Sequence, residues 1–214
     1  MPTAGCSRRR HRRCSCSSAR RRAQSGRREK VVMHFERDLG DGYRLSLRTR
    51  ATDEGMLRLI EKNLSRLRAW EPWALTDQTR ETLGAFTQHQ LEGFSRGTIV
   101  PTVVFRGDEM VGAASVALDR ATRKAELGYW LDYEVEGKGI AFLACSALME
   151  HLAEQGMRRV EIRTAASNER SCRLAERLGF EREGVVERAL VLGEKRLDLA
   201  IYSLAIDSLT SDSA

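Results

Sequence analysis

Two glycines separated by one residue lie in the segment 137–141, which reads Gly-Lys-Gly-Ile-Ala, between a predicted strand and a predicted helix. Glycine lets the backbone adopt left-handed conformations and approach a bound group closely. The first N–H groups of a helix lack partners within the helix, and they lie at the positive end of its dipole. A phosphate or diphosphate suits such a site. The glycines fit neither the P-loop nor the Rossmann pattern, so a tight strand-to-helix turn is the alternative interpretation.

A second motif with chemical potential follows the next predicted strand. Asn168 suits the N-cap of a helix, and Gly179 suits the C-terminal end of that helix, ahead of Phe180. Ser171 then lies in the first helical turn, where its hydroxyl either donates a proton to a reacting group or is an ordinary helix hydroxyl. Helix capping and turn formation explain each of these residues individually. They do not explain why two such strand–helix units follow each other.

The elements that position these motifs follow from the hydrophobic periodicity. Strands are predicted at 43–49, 101–105, 110–118, 125–131, 159–164, 180–187, 189–192 and 197–206. Helices are predicted at 52–67, 77–95, 139–155 and 168–178. This order is typical of one α/β domain, in which a mixed sheet carries helices on both faces.

Charge divides the chain of 214 residues into two parts. Eleven of its 36 bases and one of its 30 acids lie in the first 30 residues, so the remainder carries 25 bases and 29 acids. A basic nucleic-acid-binding domain is thereby disfavoured. The segment 1–32 is predicted to be a disordered Arg-rich tail, and 33–214 to be the folded domain. The tail either binds nucleic acid or another polyanion, acts as a transit peptide, or lies upstream of a true start at Met33.

Cysteine and histidine usage indicates neither a disulfide framework nor a metal site. Cys145 and Cys172 lie in apolar helical contexts, and no histidine has ligand spacing with another histidine or cysteine. No apolar run approaches the roughly 18–20 residues that a membrane span needs. A cytoplasmic protein without a metal or a membrane partner is therefore expected.

Together these motifs resemble the GNAT superfamily of acetyl-CoA-dependent N-acetyltransferases, over roughly residues 43–206. The motifs Glu126–Leu131 and Gly137–Ile140, followed by Asn168-x-x-Ser171, Leu178-Gly179-Phe180 and Glu183-Gly184-Val185, are similar to the RimJ/RimL branch. Members of that branch acetylate the N-terminal amine of ribosomal proteins. The resemblance implies a single mixed, mostly antiparallel sheet that is splayed around acetyl-CoA. Relatives often form dimers, so a homodimer is a further expectation.

The resemblance also implies where acetyl-CoA, the cosubstrate, binds. The diphosphate is expected on the backbone N–H groups of the glycine segment, and the pantetheine arm along the backbone of Leu131 and Tyr133. Asn168 and Ser171 are expected to face the cofactor near its thiol. The implied cofactor-binding residues are Leu131, Tyr133, Glu136, Gly137, Lys138, Gly139, Ile140, Ala141, Asn168 and Ser171. Glu134 departs from the Gln or Arg that is usual in the family, and it is expected to point away, with Lys138 offsetting its charge.

The catalytic residues implied are Ser171, as the acid that protonates the leaving thiolate, and a carboxylate base. Close relatives have a glutamate where this chain has Leu190. Glu126, on the strand that carries the cofactor, is the predicted substitute, and a salt-bridged strand acid is the alternative. Trp70 and Trp73 are predicted either to bind the acceptor or to pack over the sheet edge.

A weak base favours an acceptor of low pKa. An α-amine is roughly one-tenth neutral at pH 7, whereas a lysine amine lies about 3.4 pH units from neutrality. The prediction is therefore a protein or peptide α-amine. A small-molecule amine, such as an antibiotic or polyamine, and a non-catalytic acyl-CoA-binding module are the alternatives.

Overall fold

Eight strands form one sheet in the computed structural model, which describes residues 35–206. Their order across the sheet is β1-β2-β3-β4-β5-β6-β8-β7. The strands are β1 Glu36–Gly40, β2 Tyr43–Leu47, β3 Ile99–Arg106, β4 Glu109–Asp119, β5 Lys124–Leu131, β6 Arg159–Ala165, β7 Glu181–Leu192 and β8 Lys195–Ala205. The helices are α1 Asp53–Leu67, α2 Arg80–Arg96, α3 Ile140–Glu154 and α4 Glu169–Arg177. The predictions for the tail and for Met33 lie outside the described residues.

The structure corrects the predicted elements at both edges of the sheet. β1 was not predicted, because its sequence contains a single buried apolar side chain, Leu39. The segment forms a strand because it pairs with β2, although its own apolar pattern does not indicate one. At the other edge, the two predicted strands 180–187 and 189–192 form one continuous strand, β7. α2 begins at Arg80 rather than at 77, because Thr79 caps the helix by accepting from the Thr82 amide.

β7 is an exposed edge strand interrupted by a bulge. Residues 187–189 stand opposite the single residue Asp198. Arg188 adopts a left-handed φ of 53°, and its amide donates to Asp198 Oδ1 at 2.9 Å. The strand exposes three valines by 40–47%, Val185, Val186 and Val191. The bulge bends the strand and increases its local twist.

Helices cover both faces of the sheet, as predicted. On one face, Met56 and Ile60 of α1 and Leu83 of α2 form a buried cluster with Val103 of β3. On the opposite face, α3 and α4 bury their apolar sides against the larger core cluster, which includes Leu148. Side chains alternate along β5, so Tyr129 and Leu131 pack with the α3 side and Trp130 packs with the α1 side.

The sheet parts between β5 and β6, the only parallel neighbours among the described strands. Ladder pairs join them only from Lys124–Glu126 to Arg159–Glu161. Leu131 lies opposite Gly112 of β4, and the next amide, that of Asp132, donates to the Val111 carbonyl at 2.8 Å. Leu131 therefore belongs to a non-hydrogen-bonded pair, and its N–H and C=O point away from β4 towards the parted edge. The predicted mixed, mostly antiparallel and splayed sheet is confirmed.

A charge network holds the strands together where the sheet is closed. Arg159 of β6 forms a bidentate pair with Glu183 of β7, at 2.8 and 2.6 Å, and also contacts Glu161 at 3.0 Å. Ser203 of β8 donates to Glu183 at 2.7 Å. Donation from Arg159 first, and from Ser203 second, lowers the pKa of Glu183 to about 2. This network links β6, β8 and β7 at the closed end of the sheet.

Glu183→Gln should lower the melting temperature at pH 7 by roughly 1–2 °C, because the pair is partly exposed and screened. A carboxylate whose pKa is depressed in the folded state contributes stability above its ordinary pKa of 4.5, and that contribution disappears as the pH falls towards 2. Melting curves of both proteins between pH 7 and pH 2 should therefore converge. Glu181→Gln, at a neighbouring position of the same strand, is the control. A difference that stays constant with pH contradicts the linkage.

Candidate active site

The loop from β5 to α3 presents unpaired helix amides to open space. Gly137 and Gly139 have φ values of 75° and 80°, and a Cβ at either position would meet no atom within 4 Å. Gly139 is the N-cap of α3 and offers no side-chain cap. The first intrahelical bond runs from Leu143 to the Gly139 carbonyl, so the preceding amides of α3 have no acceptor within the helix. This arrangement suits an anion.

Ile140 and Ala141 follow at the start of α3, and they differ in exposure. Ile140 is 4% exposed and anchors the helix start in the core, whereas Ala141 is partly exposed. Lys138 is exposed between the two glycines. These positions bring the predicted diphosphate-binding residues together at one end of the parted strands.

α1 supports this loop through Lys62 and Asn63. Lys62 Nζ lies 2.6 Å from Asp132 Oδ2 and 3.0 Å from Glu134 Oε1. Burial raises the pKa of Asp132, but donation from Lys62 and from the Glu134 amide outweighs it, so the pKa is lowered overall. Asn63 Oδ1 accepts from the Tyr133 amide at 3.2 Å. The Tyr133 amide, one of the backbone groups predicted to contact the pantetheine arm, is therefore already hydrogen-bonded to Asn63.

Glu134 and Glu136 are both paired with cations of neighbouring elements. Lys62, not the expected Lys138, is the cation that contacts Glu134. The Glu136 carboxylate contacts Arg66 of α1 at 2.5 Å and also Arg170 of α4. Because the carboxylate is occupied, the cofactor contact predicted for Glu136 falls to its backbone groups. The two arginines add positive charge beside the glycine loop.

Ser171 is hydrogen-bonded to a residue that the sequence analysis missed. Its Oγ lies 2.9 Å from the hydroxyl of Tyr129, which projects from β5 towards α4. Burial raises the pKa of Tyr129, while the bond to Ser171 opposes this shift. Asn168 Oδ1 accepts from the Ser171 amide at 3.3 Å, so Asn168 caps α4 as predicted. Cys172, the next residue of α4, is a buried free thiol.

The other wall of the opening is built from the segment that follows α1. The Trp73 ring lies 6.3 Å from the Trp130 ring, centroid to centroid, and the rings are tilted by 45°. Trp73 Nε1 donates to Glu71 Oε2 at 2.9 Å. Trp70 is partly buried, and Trp73 is 37% exposed. Trp130 and Glu71 join this wall, and neither was singled out from the sequence.

The structure places Glu126 away from the Tyr129–Ser171 pair. Its side chain emerges on the opposite face of β5, is 52% exposed, and lies 3.7 Å from Arg163 Nε. This carboxylate is thus part of the charge network at the closed end of the sheet. Its catalytic role stays a prediction. Leu190 lies on β7 opposite Leu197 and is partly exposed.

Within residues 35–206 no three His, Cys, Asp or Glu side chains are grouped so that they could hold a metal ion. None of the helices in the described part is long and apolar enough to cross a membrane.

Comparison with known proteins gives three informative similarities. The ribosomal-protein-serine acetyltransferase of Escherichia coli K12 is 32% identical over 155 residues, which are 72% of this chain and 87% of that protein. The RimL ribosomal L7/L12 α-N-protein acetyltransferase in complex with CoA has a TM-score of 0.78 at 27% identity, covering 81% of this chain and 99% of that one. The microcin C7 self-immunity acetyltransferase MccE, in complex with acetyl-CoA and AMP, has a TM-score of 0.74 at 25% identity, covering 78% and 94%.

The family comparison agrees with the parted sheet and its glycine loop. The acetyltransferase (GNAT) domain matches residues 44–181, which include both glycines and Ser171. The predicted family and its enzymatic character are thereby confirmed, and the chain belongs to the GNAT acetyltransferases.

Proposed function

We propose that this acetyltransferase uses acetyl-CoA to acetylate the N-terminal α-amine of a protein, as its ribosomal-protein-acetylating relatives are named for doing. The observation that carries the proposal is the free edge of β5. This edge runs from the helix amides of α3 past Leu131 to the Tyr129–Ser171 pair.

Acetyl-CoA fits this edge by its chemistry. The diphosphate takes the amides of the segment 137–141 at the start of α3. Lys138, Arg66 and Arg170 add positive charge nearby, although Glu136 offsets part of it. The pantetheine arm carries amide groups, and it pairs with the backbone of Leu131 as an added strand would.

Transfer then requires three events at the thioester. The amine nitrogen attacks the carbonyl carbon, and the oxygen that becomes negative accepts from the N–H of Tyr129, which points outward in the same register as that of Leu131. The C–S bond breaks, and the sulfur takes a proton from Ser171. Tyr129, hydrogen-bonded to Ser171, orients that hydroxyl.

The acceptor preference follows from amine pKa values. An α-amine with a pKa of about 7.7–8.0 is roughly one-tenth neutral at pH 7, which costs about 1.4 kcal/mol. A lysine amine near 10.4 costs about 4.6 kcal/mol. Since Leu190 replaces the glutamate of close relatives, the α-amine is the easier acceptor. The similarity to MccE, bound to acetyl-CoA and AMP, favours a small-molecule amine as the second candidate.

Calorimetry with CoA and a thiol-release assay test the proposal together. The acceptor panel contains peptides with free N-terminal serine or alanine, an N-blocked peptide with a free lysine, spermidine, and an amine attached to AMP. We expect CoA binding and turnover of the free N-termini, about 100-fold above the blocked lysine peptide at pH 7. Equal turnover of lysine contradicts the α-amine preference. Preferred turnover of spermidine or of the AMP-linked amine identifies a small-molecule enzyme, and binding without turnover identifies a non-catalytic module.

A further inference from the structure

Glu71 lies in the wall of the opening that is built from the segment after α1, and its carboxylate is turned to the Trp73 indole. It occupies the loop between α1 and α2, and Oε2 accepts from the Trp73 indole at 2.9 Å. The Trp73 ring in turn lies against Trp130 of β5, the residue between Tyr129 and Leu131. The carboxylate is thus tied to the strand that carries the free edge.

The surroundings of Glu71 differ from those of the other acids near the opening. Glu134 and Glu136 contact cations at 3.0 Å or less, and Glu126 lies 3.7 Å from Arg163. Glu71 makes no ion pair within the described residues, although it is partly buried. Arg68, three residues before it, instead donates to the Ala74 carbonyl at 3.1 Å and pairs with Asp77 at 3.4 Å.

Two pKa shifts involve the Glu71 carboxylate. Burial raises the pKa of Glu71 above its ordinary value, and the bond from Trp73 only partly opposes this. Its negative charge is also one of the smaller causes that raise the pKa of Tyr129. The Glu71 charge therefore acts on the Tyr129 phenol, which is hydrogen-bonded to Ser171. A general base works best with a pKa that is raised towards the working pH.

We propose that Glu71 is the general base that removes the proton from the acceptor amine, in place of the glutamate that Leu190 replaces. This role rests on the proposed function. The acceptor enters as an ammonium group, and Glu71 takes one proton to leave a neutral amine. As the C–N bond forms and the C–S bond breaks, Ser171 gives its proton to the sulfur, and the second proton of the nitrogen restores the Ser171 hydroxyl. Glu71 then releases its own proton to solvent.

Glu71→Gln in the full chain keeps the acceptor for the indole hydrogen but removes the basicity. We expect kcat for an N-terminal peptide to fall at least about tenfold at pH 7, since only about a tenth of the amine is neutral there. The deficit should shrink above about pH 8, where the amine loses its proton unaided. CoA affinity by calorimetry and the melting temperature should be unchanged. A merely structural role predicts a deficit that does not vary with pH.

Three other variants complete the test. Trp73→Phe removes the donor that stabilises the charged carboxylate, so the acid limb of kcat/KM should move to higher pH. Glu61→Gln, an exposed glutamate of α1, is the matched control and should behave as wild type. Activity of Glu71→Gln within twofold of wild type at pH 7, or loss in Glu126→Gln alone, overturns the role. If the wild type binds CoA but acetylates no amine, the proposed function fails, and this role fails with it.

Discussion

Replacing Gly139 with valine is expected to weaken CoA binding more than 100-fold while the protein stays folded. Gly139 has a φ of 80°, a conformation that costs an L-residue about 1–2 kcal/mol and a β-branched residue more. The strain is relieved when the loop turns its amides away from the diphosphate. Each lost charge-assisted hydrogen bond is worth about 1.5–3 kcal/mol, and about 2.8 kcal/mol corresponds to 100-fold in affinity. Calorimetry with CoA measures the loss.

Gly156 provides the matched control at the other end of α3. Its φ is 72°, and a Cβ there also meets no atom within 4 Å. Gly156→Val should therefore lower the stability by a similar amount, measured by urea unfolding, and leave the affinity for CoA unchanged. Gly139→Asn should lose less affinity than Gly139→Val, because asparagine tolerates left-handed backbone. Equal loss of CoA binding in the Gly139→Val and Gly156→Val variants would show that α3 as a whole, not its N-terminal amides, governs binding.

Replacing Ser171 with alanine should lower kcat about 100-fold or more without weakening CoA binding. The expected size is that of general acid catalysis by one positioned group. Alanine leaves the backbone cap by Asn168 in place, because Asn168 accepts from the amide of residue 171 and not from its hydroxyl. Single-turnover rates with an N-terminal peptide separate chemistry from product release.

Tyr129→Phe and Ser167→Ala test whether the hydroxyl pair acts as proposed. Tyr129→Phe leaves the Ser171 hydroxyl without its partner at 2.9 Å, so kcat should fall less, by roughly tenfold. Ser167, exposed just before α4, serves as a control whose alanine variant should retain full activity. Normal turnover in Ser171→Ala would assign the proton to another donor or to water.

Local signals allowed part of the fold and site to be predicted. Residues close together in the sequence determine the glycine pair, the Asn168 cap and the alternation along β5. These features could therefore be predicted from the sequence. β1 was not, since its residues become a strand only through pairing with β2. Likewise, β7 reads as two strands because its bulge interrupts the alternation.

The supporting side chains of the site were beyond sequence reasoning for a different reason. Lys62 and Asn63 contact the loop between β5 and α3, which lies 70 residues away in the sequence, and no periodic pattern marks that contact. Tyr129 resembles any other inward-facing strand residue until α4 is placed beside it. Glu71 was not identified because its contact with the Trp73 indole becomes visible only in the folded structure.

The bulged edge strand has a consequence for the protein at high concentration. A strand of twelve residues with three exposed valines is a template on which a second molecule could extend the sheet, the first step of aggregation. The left-handed Arg188, fixed by Asp198, breaks the regular spacing of donors and acceptors that such docking needs. Charged side chains along the same strand, Arg182, Glu183, Glu187 and Arg188, make an incoming apolar strand unfavourable. The bulge thus hinders a second molecule from pairing with β7, which protects the protein from precipitation.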